Sequence, residues 1–144
     1  FALVGEKAAR VEVMEKLLRD VMALAPDNHH AYNALGYSLA ERNVRLQEAY
    51  TLIAKALEMA PGDPFIMDSM GWVQYRLGKL DEAEKYLRNA YALRPDPEIA
   101  VHLGEVLFQK GQQAVAQALW REARAKDPQN DTLRNTLARL RQSL

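Results

Sequence analysis

Three histidines, His29, His30 and His102, are the only imidazoles in the chain. A helix holds a metal through ligands one turn apart, at i and i+4, because only those side chains reach the same ion. His29 and His30 are adjacent at a helix start without such a partner, which reads as a solvated pair. Ser38, Ser69 and Ser143 lack the sharp strand–turn–helix context that presents a serine nucleophile, and there is no glycine-rich phosphate loop. The acid pairs Asp81/Glu82 and Glu41/Glu48 fall at caps and on helix faces, where water solvates them. With no cysteine, a thiol nucleophile, a disulfide framework and a cysteine-ligated metal are all excluded. No base, nucleophile and oxyanion donor converge, so neither catalysis, a cofactor nor a metal is expected.

Composition narrows the partners. The 19 basic and 19 acidic residues cancel, which removes the usual electrostatic reason to bind nucleic acid or an anionic membrane. A basic bias near the C-terminus (Arg121, Arg124, Lys126, Arg134, Arg139, Arg141) is interrupted by Glu122, Asp127 and Asp131 and reads as a solvated face. No apolar run approaches the roughly 18 residues of a membrane span, so direct insertion is not expected. No signal peptide is visible and the chain opens on Phe1, as an excised piece of something longer would.

The elements that carry these residues follow a repeat. Gly36, Gly71 and Gly104 are spaced by 35 and 33 residues, and the frame continues 34 residues later at Ala138. Pro26, Pro61, Pro95 and Pro128 keep the same beat. So do Ala49, Ala83 and Ala116, then Ala56, Ala90 and Ala123, with Ile53, Leu87 and Trp120 between the two alanines of each unit.

One unit shows why. From Pro64 to Leu77, Ile66, Met67, Met70, Val73 and Leu77 have helical spacing. Asp63 caps the start, Pro64 suits the first turn, and Gly78 ends the helix in a left-handed conformation. Asp81 and Glu84 read as a capping box for a second helix ending at Leu93, before Pro95. Small residues at Gly71, Ala83 and Ala90 let helix axes approach, while Leu87 fills the space between units. Such a hairpin buries its apolar face only by stacking on neighbours.

The neighbouring units are His29 to Arg42 with Leu46 to Met59, and Pro97 to Lys110 with Gln113 to Lys126. Asn43 stands where Gly78 and Gly111 end the later helices, and one extra residue lengthens that turn. Asp131 to Ser143 reads as a final cap, with Leu133, Leu137 and Leu140 inward and Arg134, Arg139 and Arg141 toward water. At the N-terminus, Val11 to Leu24 reads as a second helix, with Met14, Leu18 and Val21 in the phases of Ala49, Ile53 and Ala56. Phe1 to Lys7 would then be the end of a separate first helix. The expected division is 1–28 (a truncated repeat), 29–63, 64–96, 97–130 and a capping helix at 131–144, an all-α solenoid of antiparallel hairpins.

Tyr32, Leu35, Gly36, Ala49, Ile53, Ala56 and Pro61 resemble the tetratricopeptide repeat (TPR) consensus. Met67, Met70, Gly71, Ala83, Leu87, Ala90 and Pro95 repeat it, as do Leu103, Gly104, Leu107, Ala116, Trp120, Ala123 and Pro128. The resemblance covers essentially the whole chain and implies a right-handed superhelix that works by holding a protein or peptide. Narrower stretches, Asn33 to Ala40, Asp68 to Gly78 and Pro95 to Ala100, look like the C-terminal repeats of bacterial outer-membrane TPR lipoproteins. That likeness implies an adaptor in the cell envelope, facing the periplasm.

In this family the first helix of each hairpin lines the concave side. That places His30, Asn33, Tyr37 and Glu41 in the groove, then Phe65, Asp68, Trp72, Tyr75 and Arg76, then Glu98, Val101, Glu105 and Phe108, and lastly Thr132, Asn135 and Arg139. Aromatic area beside a few charges is a recognition surface, with Trp72 and Tyr75 expected at its centre. Chaperone-binding members grip a C-terminal carboxylate at positions held here by Asn33, Tyr37, Ser69, Glu98 and His102. Glu98 has the wrong sign for that clamp. The alternative to a groove-binding adaptor is a structural module that self-associates through exposed repeat faces, including the N-terminal end.

Overall fold

The computed structural model describes residues 2–144, with side chains from Ala8 onward. Eight helices follow one another: α1 (Ala2–Leu24), α2 (His29–Glu41), α3 (Leu46–Met59), α4 (Pro64–Arg76), α5 (Leu80–Leu93), α6 (Pro97–Gln109), α7 (Gln113–Lys126) and α8 (Asp131–Leu140). The caps are local and sequence-encoded. Asn28, Asp63, Asp96 and Asn130 each accept a backbone N–H of the first turn of α2, α4, α6 and α8. Gly78 and Gly111 end α4 and α6 at φ 85° and 87°, and Asn43 does the same for α2 at 57°. The extra residue in the α2–α3 turn is absorbed by Arg45, also left-handed at φ 45°.

Helices α2 and α3, α4 and α5, and α6 and α7 pack as hairpins, stacked through α3 on α4 and α5 on α6. Along the array α2 packs against α4, α4 against α6, and α6 against α8, whereas the outer helices α3, α5 and α7 stand farther apart, α5 reaching α7 through the Tyr91 hydroxyl on Glu122 at 3.0 Å. The inner row is therefore the tighter one, and the array bends toward it. A Cβ on Gly71 would stand 2.7 Å from Leu87 Cγ, and one on Gly104 would run into the Trp120 indole. The glycines are thus the contact points at which each inner helix rests on its outer partner. Leu87 and Trp120 are fully buried there.

Three expectations about the elements are corrected. Helix α1 runs unbroken, because Ala8, Ala9 and Arg10 are strong helix formers that offer no turn signal. Phe1 lies outside the described residues. Leu18 and Met22 pack on the core, but Met14 and Val21 are exposed, since no described helix covers that side of α1. The helix is tied down instead by Glu15, which pairs with Arg19 and Arg45; hydrogen bonds from Arg45 and Arg19 hold its carboxyl at about 2. The Asp81/Glu84 capping box does not form. Helix α5 starts at Leu80 without a side-chain cap, and both carboxylates go to Lys110 of the next unit. Finally, α8 stops at Leu140, where Arg141 turns left-handed at φ 57°, so the cap is shorter than its apolar pattern suggested.

Candidate functional site

The inner face is built by α2, α4, α6 and α8, and a chain of hydrogen bonds crosses the first three. His102 Nδ1 (α6) lies 2.8 Å from Asp68 Oδ1 (α4), and its Nε2 lies 3.2 Å from the Tyr37 hydroxyl (α2). Tyr37 in turn donates to Glu41 at 2.9 Å. Both members of the Asp68–His102 pair are buried. Proton counting fixes the charge. Tyr37 has one proton; spending it on Glu41 leaves its oxygen to accept from Nε2–H, while Nδ1–H faces Asp68. With Asp68 ionised, the imidazolium satisfies all three contacts, and a proton shifted from Nδ1 onto Asp68 would leave the net charge of the pair the same.

Electrostatics act in the same direction. Burial alone would push His102 down, but Asp68, with Glu41 and Glu98 beyond it, raises the ring above its ordinary value. Burial also raises the Asp68 carboxyl against the pull of His102, and Glu98 and Asp96 add to that rise. Carboxylate, imidazole and hydroxyl stand in the order of a nucleophile relay. The hydroxyl, however, is a phenol that burial and Glu41 push upward, the opposite of activation.

Trp72 belongs to this packing and not to the groove surface. It is 2% exposed, with the His102 ring stacked on it at 4.3 Å and Tyr75 at 4.9 Å. The Arg76 guanidinium lies 5.1 Å from its ring while donating to the Ala40 and Glu41 carbonyls. The inner helices press together at this register, so the expectation of a groove centred on Trp72 is corrected. Asp68, Val101 and Glu105 are buried as well. Glu105 accepts from Tyr75 at 2.7 Å and from both Arg139 Nη atoms at 2.9 and 2.6 Å, so Arg139 is engaged by α6 instead of simply facing water. Tyr75 is half-buried by this contact, and Phe108 leans on Trp120.

What remains open is the other end of the inner face. His30 and Glu41 are exposed, Asn33 and Tyr37 are half-buried, and Phe65 is 42% exposed. Phe65, and not Trp72 or Tyr75, is the prominent aromatic there. A cleft of about 330 Å³ opens between α2, α4 and α6. Asn33, Ala34 and Tyr37 form one wall, Phe65 and Ser69 the other, and Glu98 and His102 the end. Asn33 Oδ1 is enclosed and accepts no hydrogen bond among the described residues. No described helix is long and apolar enough to cross a membrane.

The Asp68–His102 pair was not anticipated. Its only signal in the sequence is a spacing of 34 residues, one repeat, which brings the two side chains to adjacent units. Arg139 and Glu105 have the same spacing.

A family model for the tetratricopeptide repeat matches residues 11–64 and 69–131. Over 104 residues the chain is 54% identical to the TPR repeat-containing protein PA4667 of Pseudomonas aeruginosa, covering 72% of this chain and 18% of that protein. The chain thus spans less than a fifth of that relative. Among solved structures, TTC0263, a thermophilic TPR protein of Thermus thermophilus, superposes with a TM-score of 0.76 at 25% identity, over 92% of this chain and 74% of that one. The first TPR domain of Spaghetti (RPAP3), solved with the HSP90 peptide SRMEEVD, superposes at 0.65 with 19% identity, over 77% of this chain and 88% of that one. The latter likeness is one of fold.

Proposed function

Because the chain belongs to the tetratricopeptide repeat family, we propose that it is a non-catalytic scaffold that holds a peptide or protein partner along α2, α4 and α6. The observation that carries this reading is the cleft beside Phe65: an exposed aromatic ring, a half-buried tyrosine and unspent polar groups on one concave surface. Its rigid backing supports the same reading, since the Asp68–His102–Tyr37 chain and the buried Trp72 fix the three helices before anything binds. An adaptor at the periplasmic face of a bacterial outer membrane belongs to the same proposal and rests on the resemblance of its repeats to envelope lipoproteins. Capture from native envelope extract by the wild type, but not by Phe65→Ala/Asn33→Ala with unchanged helicity, is the expected result. Equal capture by the double variant would remove the concave face from consideration.

Self-association is a second reading, favoured by one observation. Val13, Met14, Leu17 and Val21 form an exposed apolar stripe along α1, at 58, 38, 59 and 37% exposure. Light scattering across concentration separates the two. A mass that rises in the wild type and stays monomeric in Leu17→Glu supports assembly through α1.

A further inference from the structure

We propose that the cleft between α2, α4 and α6 is a recognition pocket for one basic side chain, lysine or arginine, of the bound partner; this rests on the concave-face reading above. At about 330 Å³ the cleft sits at the small end of the ligand-site range of roughly 300–1,000 Å³, the size for one long side chain. Its walls suit an aliphatic stem: Ala34, the Tyr37 ring and the half-exposed Phe65 ring. Two of its acceptors have capacity left. Glu98 has one oxygen on Asn130 Nδ2 at 3.1 Å and its second oxygen to offer, and Asn33 Oδ1 is enclosed without a donor among the described residues.

Charge selects the same occupant. Of the groups that line the cleft, Asp68 and Glu98 are acidic and His102 is the one cation, leaving it acidic by one charge; Glu41, outside the lining, is paired with Arg76 at 3.8 Å. Both ring nitrogens of His102 are engaged, by Asp68 and Tyr37, so the imidazole has no N–H for an anion. Arg76 is committed to the Ala40 and Glu41 carbonyls. The Phe65 ring already carries one cation, the Arg94 guanidinium 5.5 Å from its centre, outside the cleft lining. An anionic group would meet the Glu98 carboxylate with the neutral Asn33 amide as its unspent donor, and a purely apolar one would cover Glu98 without pairing it.

The test uses blocked amino acids on the 15N-labelled chain: Nα-acetyl methylamides of lysine, arginine, norleucine and glutamate. Lysine and arginine should shift the Ala34, Phe65, Ser69 and Glu98 amides saturably, about two- to fivefold more tightly than norleucine, the gain expected of one solvent-accessible ion pair. Glu98→Gln keeps the acceptor to Asn130 and should erase that preference. Norleucine binding as well as lysine, glutamate binding best, or no saturable shift with either cation would each overturn the pocket. Random peptides selected on the wild type separate this from the broader reading. Peptides that perturb α2, α4 and α6 without a basic preference sink the pocket alone, whereas peptides that perturb only α3, α5 and α7 sink the concave face itself.

Discussion

The Asp68 carboxylate and the His102 ring meet at 2.8 Å, both buried, and join α4 to α6 across a repeat boundary. Because the folded state holds the imidazole's proton above its ordinary value of 6.5, their contribution has a definite sign. It is fully present below that value and is lost as pH rises through the raised one. Asp68, also raised, acts with the same sign. Urea midpoints should therefore fall between pH 6 and 9 in the wild type, and His102→Gln should lose this slope. A midpoint that rises over this range would contradict the imidazolium assignment.

Gly71 and Ala83 test the stacking of inner on outer helices. A methyl on Gly71 meets Leu87, and Ala83 is fully buried in the same seam. Gly71→Ala and Ala83→Leu should each cost about 1–3 kcal/mol by overpacking, read as a lower denaturation midpoint with helicity retained.

Trp72 is structural. Removing its indole opens a large cavity under His102 and Tyr75, so Trp72→Ala should destabilise by about 3–5 kcal/mol. Phe65→Ala, on a ring 42% exposed, should stay within about 0.5 kcal/mol of wild type, both variants being read from their urea denaturation midpoints.

Arg139 fastens the last helix. It gives the buried Glu105 two of its three hydrogen bonds, so Arg139→Ala leaves that carboxylate underpaired at a cost of about 1–3 kcal/mol. Hydrogen exchange should quicken in α8 before it does in α4. Adding Glu105→Gln should recover part of the loss, because the unpaired charge is gone.

The hairpins were legible because their determinants are local and periodic: Gly71 against Leu87, Asp63 and Pro64 at a helix start, Gly78 and Asn43 at left-handed ends. That α2, α4 and α6 share one inner face was legible too, since the repeat puts the first helix of each hairpin in the same row. Exposure within that face was not. Whether Trp72 or Phe65 meets solvent depends on how closely α2 and α6 flank α4, which no single repeat encodes. The Asp68–His102 and Glu105–Arg139 pairs arise between units in the same way. The Asp81/Glu84 box failed because Lys110, from the next hairpin, offers both carboxylates a full charge.

The most direct measurement is a random-peptide selection on the folded chain, followed by amide mapping of the selected peptides and affinity comparison with Phe65→Ala and Glu98→Lys. Concave-face recognition predicts shifts clustered at Asn33, Ala34, Phe65, Ser69 and Glu98, an affinity loss of about tenfold in Phe65→Ala, and loss of basic peptides in Glu98→Lys. Selected peptides that bind both variants like the wild type, with shifts confined to α3, α5 and α7, would contradict it.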